Sequence, residues 1–314
     1  MNEATNVGEL DLRENLRTIM HADRRLTQAQ VAREMGVSAS ALNQWSKGVY
    51  AGDNEGIEGK LGLWLDKRRE RMAAGEQMPA APAWVPTPTA ARVVGALSYA
   101  QMAGDIAIVY GAAGLGKTTA IAHYASTSLN VWHVTMTPAS ASVVTALEEI
   151  CGTLGLNESG GAARLFRAVV RKVRGTGGLL VIDEAQHLGT AALDQIRSIH
   201  DATSIGIALV GNQEVYARMT GGNRAAYLDR LYSRIGKRLG LRHSSEADIV
   251  ALIEAWAIDD SKCRSTLLDI ARKPGALRTL TKVLRLASMH ALSESAPVCC
   301  THVAKAWREL GGEA

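Results

Sequence analysis

Aromatic side chains are scarce in this 314-residue sequence: they make up 4% of it, and phenylalanine occurs once. With so few rings, and none interleaved with the basic clusters, the chain is poorly equipped to stack the bases of a single strand. Cysteine is also rare, and Cys151, Cys263, Cys299 and Cys300 form no C-x-x-C pair. That spacing points away from a disulfide framework or a zinc site and toward reduced, buried thiols. The histidines are scattered without H-E-x-x-H spacing, which argues against zinc-hydrolase chemistry. Ser233, Ser244 and Ser245 lack the context of a nucleophile elbow, which argues against a hydrolase triad. No apolar run approaches the ~18 residues of a membrane helix, and Met1 to Leu12 carries acids but no apolar core segment. The expectation is a cytoplasmic chain with no membrane contact.

What is present is a substantial apolar fraction, 47%, enough to bury a real core. The net charge is only +4, but it is unevenly placed. Residues 1–75 balance 11 basic against 11 acidic groups, whereas residues 160–174 hold five bases (Arg164, Arg167, Arg171, Lys172, Arg174) and no acid. Residues 218–242 hold seven bases against Asp229. Positive charge beyond the first third is where an anionic partner is expected to dock.

The chain divides by pattern. Residues 1–75 read as an all-α domain of short helices. Residues 76–92 are rich in proline (Pro79, Pro82, Pro86, Pro88) and read as an extended linker. Residues 93–245 alternate strand and helix, and residues 246–314 are helical to the end. Strands are predicted at Ile106–Tyr110, Val131–Thr135, Leu179–Ile182 and Ile207–Val210. Helices are predicted between them at Thr118–Ser126, Ala141–Leu154, Ala163–Arg174 and Thr190–Ala202. That alternation predicts an α/β core with a parallel sheet.

The most specific motif is Gly111-Ala112-Ala113-Gly114-Leu115-Gly116-Lys117-Thr118, a complete G-x-x-x-x-G-K-[ST] between a strand and a helix. Its glycines let backbone N–H groups turn inward around phosphates, and the following helix, through Thr119, adds its positive N-terminus. Lys117 is expected on the β- and γ-phosphates of ATP and Thr118 on Mg²⁺. The strand Leu179–Ile182 ends in Asp183 and Glu184. Carboxylates there fall in the ligand crevice of a parallel sheet: Asp183 to hold Mg²⁺, Glu184 to polarise the attacking water. Asn212, at the tip of the next strand, is placed to hydrogen-bond that water or the γ-phosphate.

These residues resemble the AAA+ superfamily of P-loop NTPases. The resemblance implies an AAA+ core over 93–245 and a small helical lid over 246–314, with Asn212 as sensor 1 and Arg278, in Gly275-Ala276-Leu277-Arg278, as sensor 2. It also implies an arginine supplied by the next subunit, with Arg224 the favoured candidate and Arg230 and Arg234 the others. More narrowly, Thr137-Pro138-Ala139-Ser140, Asp183-Glu184-Ala185-Gln186-His187-Leu188-Gly189, Thr220-Gly221-Gly222-Asn223-Arg224 and Lys273-Pro274-Gly275-Ala276-Leu277-Arg278 resemble the Mu B family of phage transposition proteins, nearly end to end. That family implies an ATPase assembling on target DNA as a helical filament or ring in a bacterial host cell, delivering that DNA to a transposase, and dissociating on hydrolysis. The residues themselves leave open a helicase-loader or insertion-sequence-helper ATPase, and an ATP-switched transcriptional regulator.

Two elements are candidates for double-stranded DNA. In residues 26–45, Thr27 and Gln30 are read as a capping box, Gly36 as a turn and Ser38 as the cap of a second helix presenting Ser40, Asn43 and Gln44. This resembles a repressor-type helix-turn-helix. The helix at 163–174 carries Arg164, Arg167, Arg171, Lys172 and Arg174 as a stripe suited to phosphates without sequence reading. Lys237, Arg238 and Arg242 are read as additions to the same groove. The approach to that helix, Asn157-Glu158-Ser159-Gly160-Gly161-Ala162, departs from the family in holding an acid and no base.

Overall fold

The computed structural model describes residues 3–23, 26–77, 81–220, 231–273 and 275–312. The chain forms two compact units, Met1–Pro79 and Ala80–Ala314.

The first unit is helical: α1 (Glu3–Ala22), α2 (Gln28–Met35), α3 (Ala39–Ser46) and α4 (Asn54–Gln77). Leu16, Val31, Leu42, Trp45, Leu61 and Trp64 form its core, to which all four helices contribute apolar side chains. Both buried indoles reach a carboxylate: Trp45 Nε1 donates to Glu58 (3.1 Å) and Trp64 Nε1 to Glu34 (2.8 Å). Thr27 caps α2 through the Gln30 N–H, and Gly36 closes it in the left-handed region at φ 67°. The capping box is only half formed, because the Gln30 side chain turns to Glu34 instead (3.3 Å).

The second unit holds a five-stranded sheet in the order β2-β3-β4-β1-β5, every pairing parallel. Its strands are β1 (Ile106–Gly111), β2 (Val131–Thr135), β3 (Leu179–Asp183), β4 (Gly206–Gly211) and β5 (Ile235–Leu241). Alternate residues of the inner strands face two separate cores. Ile106, Ile108, Leu180, Ile182, Ile207 and Leu209 pack under α7 (Val143–Thr153), α8 (Ala162–Val173) and α9 (Thr190–Thr203). Ala107, Val109, Leu179, Val181, Ala208 and Val210 pack under α5 (Pro88–Ala103) and α6 (Lys117–Thr127). Both faces being covered explains why these strands are apolar runs rather than alternating ones.

Strand β5 is the element the sequence pattern does not announce. Its residues Ile-Gly-Lys-Arg-Leu-Gly-Leu mix bases and glycines because it is an edge strand, half exposed along much of its length. Gly236 lies close under two side-chain ends: a Cβ there would stand 2.2 Å from Asp105 Oδ2 and 2.3 Å from the Tyr99 hydroxyl, which would have to move aside. The proline-rich stretch also differs from an extended linker. Thr87 caps α5 and Pro88 opens it, a helix position where the missing N–H costs nothing.

Helix α10 (Gln213–Thr220) lies between β4 and β5, and α11 (Glu246–Ala255), α12 (Ser261–Ala271), α13 (Ala276–Ser293) and α14 (Cys300–Glu309) follow β5. The last four enclose their own core of Ile249, Ile253, Leu267, Leu280, Leu284 and Val303. Asp248, fully buried, ties this helical domain to the sheet domain. It accepts from Thr89 N and Oγ1 (both 2.7 Å), Ser245 N (2.7 Å) and Ser245 Oγ (2.8 Å).

Candidate functional site

A cavity of about 450 Å³ opens where the carboxyl ends of β1, β3 and β4 meet the helical domain. Gly111, Ala113, Gly114, Leu115, Gly116, Lys117, Thr118 and Thr119 form one wall; Glu184, Asn212 and Arg278 complete its polar end. The structure therefore gathers around one space the residues predicted from four separate stretches. Ala112 adjoins it through its carbonyl, and Asp183, 2% exposed, lies beneath Thr118.

The loop is shaped as an anion cradle. Gly114 and Gly116 lie at φ 81° and 83°, which side-chain-bearing residues rarely adopt. A Cβ on Gly114 would also stand 2.1 Å from the Gly275 carbonyl, so the loop and the start of α13, which carries Arg278, pack backbone on backbone. Lys117 Nζ donates to the Gly111 (2.9 Å) and Ala112 (2.8 Å) carbonyls. Burial lowers its pKa from the ordinary lysine range; Asp183 and Glu184 oppose this and Arg278 reinforces it.

Thr118 Oγ1 donates to Asp183 Oδ2 at 2.8 Å, and the Glu184 N–H donates to Asp183 Oδ1 at 2.9 Å. Burial pushes the Asp183 carboxyl up. The polarity of the His133 ring, its Nε2 3.6 Å away, and the Thr118 and Glu184 bonds outweigh burial and hold the group below the ordinary aspartate range. An ionised carboxylate beside a threonine hydroxyl is an all-oxygen donor set, and it fits Mg²⁺ with retained waters. The residues present thus fit both a nucleotide triphosphate and its metal.

Glu184 sits at φ 54°, an unusual conformation for a side-chain-bearing residue, at the entry to a single 3₁₀ turn, Ala185–His187. Gln186 donates to Glu184 and also accepts the Asn212 N–H (3.3 Å), so one amide spans the ends of β3 and β4. Asn212 Oδ1 accepts the Glu214 N–H (2.9 Å), an Asx turn opening α10. Arg224 and Arg230 lie outside the described residues. Arg234 is bonded to Asp201 and to Ser233.

The sequence reading did not find the apolar end of the cavity. Pro82, Trp84 and Val85, from the proline-rich stretch, face Trp256 and Leu277 there. Trp84 stacks on His123 with centroids 3.9 Å apart and planes at 4°. A tryptophan amid prolines was the available signal, since so large an apolar side chain is rarely left in a free linker.

On α8 the stripe is present: Arg164, Arg167, Arg171, Lys172 and, just past the helix end, Arg174 are all exposed, opposite buried Leu165, Val169 and Val173. Glu158 pairs with two of them, Arg164 at 3.0 Å and Arg171 at 3.6 Å. Arg174 donates to the Ala202 carbonyl (3.1 Å). Lys237 and Arg238 lie on β5, at the sheet edge opposite β2, where Lys237 bonds the Gly95 carbonyl (3.3 Å) and Arg238 lies 3.9 Å over the Tyr232 ring. In the first unit, Ser38, Ser40, Asn43 and Gln44 are exposed on α3 and its cap, with Ser38 Oγ accepting the Ala41 N–H (3.1 Å). None of the described helices is long and apolar enough to cross a membrane.

Comparison with known proteins agrees with this architecture. A family model described as an AAA domain matches residues 101–219, and one described as Mu B transposition protein, C terminal, matches residues 233–310. The chain is 39% identical over 301 residues to the ATP-dependent target DNA activator B of Escherichia phage Mu, covering 96% of this chain and 95% of that protein. It is 37% identical over 264 residues to the Mu-like prophage FluMu DNA transposition protein B of Haemophilus influenzae, covering 83% and 91%. Among solved structures, Cdc6p of Pyrobaculum aerophilum shares the fold with a TM-score of 0.55 at 15% identity, over 73% of this chain and 69% of that one. The chain is an α/β P-loop NTPase of the AAA+ class, and it belongs to the Mu B family of DNA transposition proteins.

Proposed function

We propose that this chain binds and hydrolyses ATP to control its own assembly on double-stranded target DNA, which it presents to a transposase. The observation that carries the proposal is the single cavity bringing Lys117, Thr118, Glu184, Asn212 and Arg278 together above Asp183. When bound, Mg²⁺–ATP supplies a reactive phosphoanhydride and a metal charge that neutralises its oxygens.

The protein's own groups do the rest. Lys117 exchanges its two loop carbonyls for phosphate oxygens. Thr118 and Asp183 would hold the Mg²⁺. Glu184, released from Gln186, takes the proton of the attacking water, and Asn212 orients that water. Arg278 brings positive charge from the helical domain, and Arg224 of a neighbouring subunit completes the site. Pro82, Trp84, Val85, Trp256 and Leu277 form the apolar wall for the adenine. Because a neighbour completes each site, ATP favours the filament or ring and hydrolysis favours the free chain, a population shift set by differential affinity. Turnover is slow alone and faster with DNA or transposase.

DNA contact is assigned to the arginines of α8, which grip phosphates without reading bases. The helix-turn-helix of the first unit, through Ser40, Asn43 and Gln44, adds a second contact. Electron microscopy with duplex DNA tests this reading. Polymers are expected with a slowly hydrolysed ATP analogue and not without nucleotide, and Lys117→Ala is expected to form none. Equal DNA coverage by Lys117→Ala and the parent chain would remove the coupling.

A further inference from the structure

Helices α12 and α14 begin side by side, and their first residues place three metal-ligating groups in one spot. Asp260 is the N-cap of α12, Cys263 is in its first turn, and Cys300 is the first residue of α14. Cys263 Sγ and Cys300 Sγ are 3.0 Å apart, and Cys300 Sγ is 3.5 Å from Asp260 Oδ2. All three ligand atoms lie within 4.8 Å of one another, the one such grouping among the described residues. Cys263 is fully buried, whereas Cys300 is half-buried and Asp260 exposed, so the spot has a floor and an open mouth.

We propose that Asp260, Cys263 and Cys300 form a binding site for a thiophilic divalent cation of the zinc type, with water in the fourth position. Tetrahedral zinc, with Zn–S about 2.3 Å and Zn–O about 2.1 Å, sets two sulfurs about 3.8 Å apart and sulfur and oxygen about 3.6 Å apart. The Cys300–Asp260 sulfur–oxygen distance of 3.5 Å already matches, and the sulfurs need only part by less than about 1 Å. Two thiolates and one carboxylate are a donor set selective for zinc over magnesium or calcium. Without a cation the thiols hydrogen-bond each other and Asp260. A bound dication would replace those protons as the shared partner of two thiolates and a carboxylate. Cys299 and His302 stand next door but are engaged with each other (3.3 Å) and, through His302, with Glu294 (3.0 Å), so they are not counted as ligands.

The ion would pin α12 to α14 across the helical domain, remote from the phosphate loop in sequence and needed by none of its groups. The test uses the full-length chain, reduced and stripped of metal, titrated with Co²⁺ as a spectroscopic probe. Expected is a sulfur-to-cobalt charge-transfer band saturating at one equivalent, lost on adding Zn²⁺, with Zn²⁺ also raising the unfolding temperature. Cys263→Ser is expected to abolish the band. Cys300→Ser, at a half-exposed helix start that tolerates serine, is expected to do the same while circular dichroism and nucleotide binding are kept. Asp260→Asn is expected to weaken cobalt binding. The proposal is overturned if no band forms with cobalt in excess, or if the band survives in Cys300→Ser. It is also overturned if the reduced chain takes up no metal and instead oxidises to a Cys263–Cys300 disulfide.

Discussion

Asp248 makes the sharpest quantitative test of how the helical domain is attached to the sheet. Its two oxygens accept four hydrogen bonds, from Thr89 N, Thr89 Oγ1, Ser245 N and Ser245 Oγ, and the side chain is wholly buried. Asp248→Asn keeps the shape but replaces one acceptor with a donor. If the new NH₂ faces Ser245, the Ser245 N–H is orphaned; if it is flipped, the Thr89 N–H is. The two hydroxyls can rotate to accept, so one backbone N–H loses its partner either way: that of Thr89 is buried and costs about 1–3 kcal/mol, that of Ser245 is on an exposed residue and costs less, and the remaining bonds lose their charge assistance. The amide takes the cheaper orientation, for a total of roughly 1–3 kcal/mol, which for a unit of this size lowers the unfolding temperature by about 2–12 °C. Burial raises the Asp248 pKa, but the bonds from Thr89 and Ser245 outweigh it and hold the folded value below the ordinary one. The sign then follows. The stabilisation is fully present above the ordinary aspartate value of about 4 and is lost as pH falls through the depressed folded value. Thermal unfolding by circular dichroism at neutral pH and in acid checks both parts. A difference of under about 1 °C between Asp248→Asn and the parent at pH 7 would refute the reasoning, as would a gap that widens rather than narrows in acid.

Glu184→Gln should bind nucleotide normally but hydrolyse it about 10²-fold more slowly or worse, giving long-lived polymers on DNA; a turnover assay and filament lifetimes read both, and ordinary turnover would dismiss Glu184 as the base. Trp84→Ala removes part of the apolar wall proposed for the adenine, and with an aromatic contact worth about 0.5–1.5 kcal/mol lost from the bound state, nucleotide affinity by calorimetry should fall roughly two- to tenfold. Replacing Arg164, Arg167 and Arg171 together should weaken DNA binding and flatten its salt dependence by up to about 2.7 in log–log slope, and an unchanged slope would make α8 an ordinary solvated face. Glu158→Gln should do the opposite, because it frees Arg164 and Arg171 from the carboxylate that now pairs with them.

The groups proposed to hold phosphate and metal stand out in the sequence because their chemistry tolerates few substitutes. A cradle needs glycines at positive φ, a metal needs hard oxygens, and both must fall at strand ends. Those constraints are local, so Gly111–Thr118 and Asp183–Glu184 each stand out as a short run of the sequence. The parts that stayed hidden depend on distance. Asp248 reads as an unremarkable acid near a helix start until Thr89, 159 residues earlier, is placed against it. Cys263 and Cys300 have no motif spacing, because what joins them is the packing of two helix starts. Strand β5 lacks a strand-like pattern because half of it faces out, and its glycines answer to Asp105, Tyr99 and Tyr110 on neighbouring elements. Gln186 was legible as a letter but not as a bridge, since its partners Glu184 and Asn212 belong to different strands.

The same long-range contacts explain how occupancy of one cavity can matter to the whole second unit. The helical domain meets the sheet domain at two close points. One is the backbone approach of Gly114 to Gly275, with no room for a side chain; the other is the four-bonded Asp248. The first is in the phosphate loop itself and lies one turn from Arg278. The second anchors α5, whose preceding residues Trp84 and Val85 wall the apolar end of the cavity. A ligand spanning the cavity therefore touches both domains near each attachment, and any rotation of the helical domain must break one contact or carry the other with it. Packed interfaces of this kind switch between discrete arrangements rather than deform smoothly. On the proposed function, a triphosphate engaging Lys117 and Arg278 together would favour the arrangement in which both reach it, and loss of the γ-phosphate would remove the differential affinity on which that preference depends.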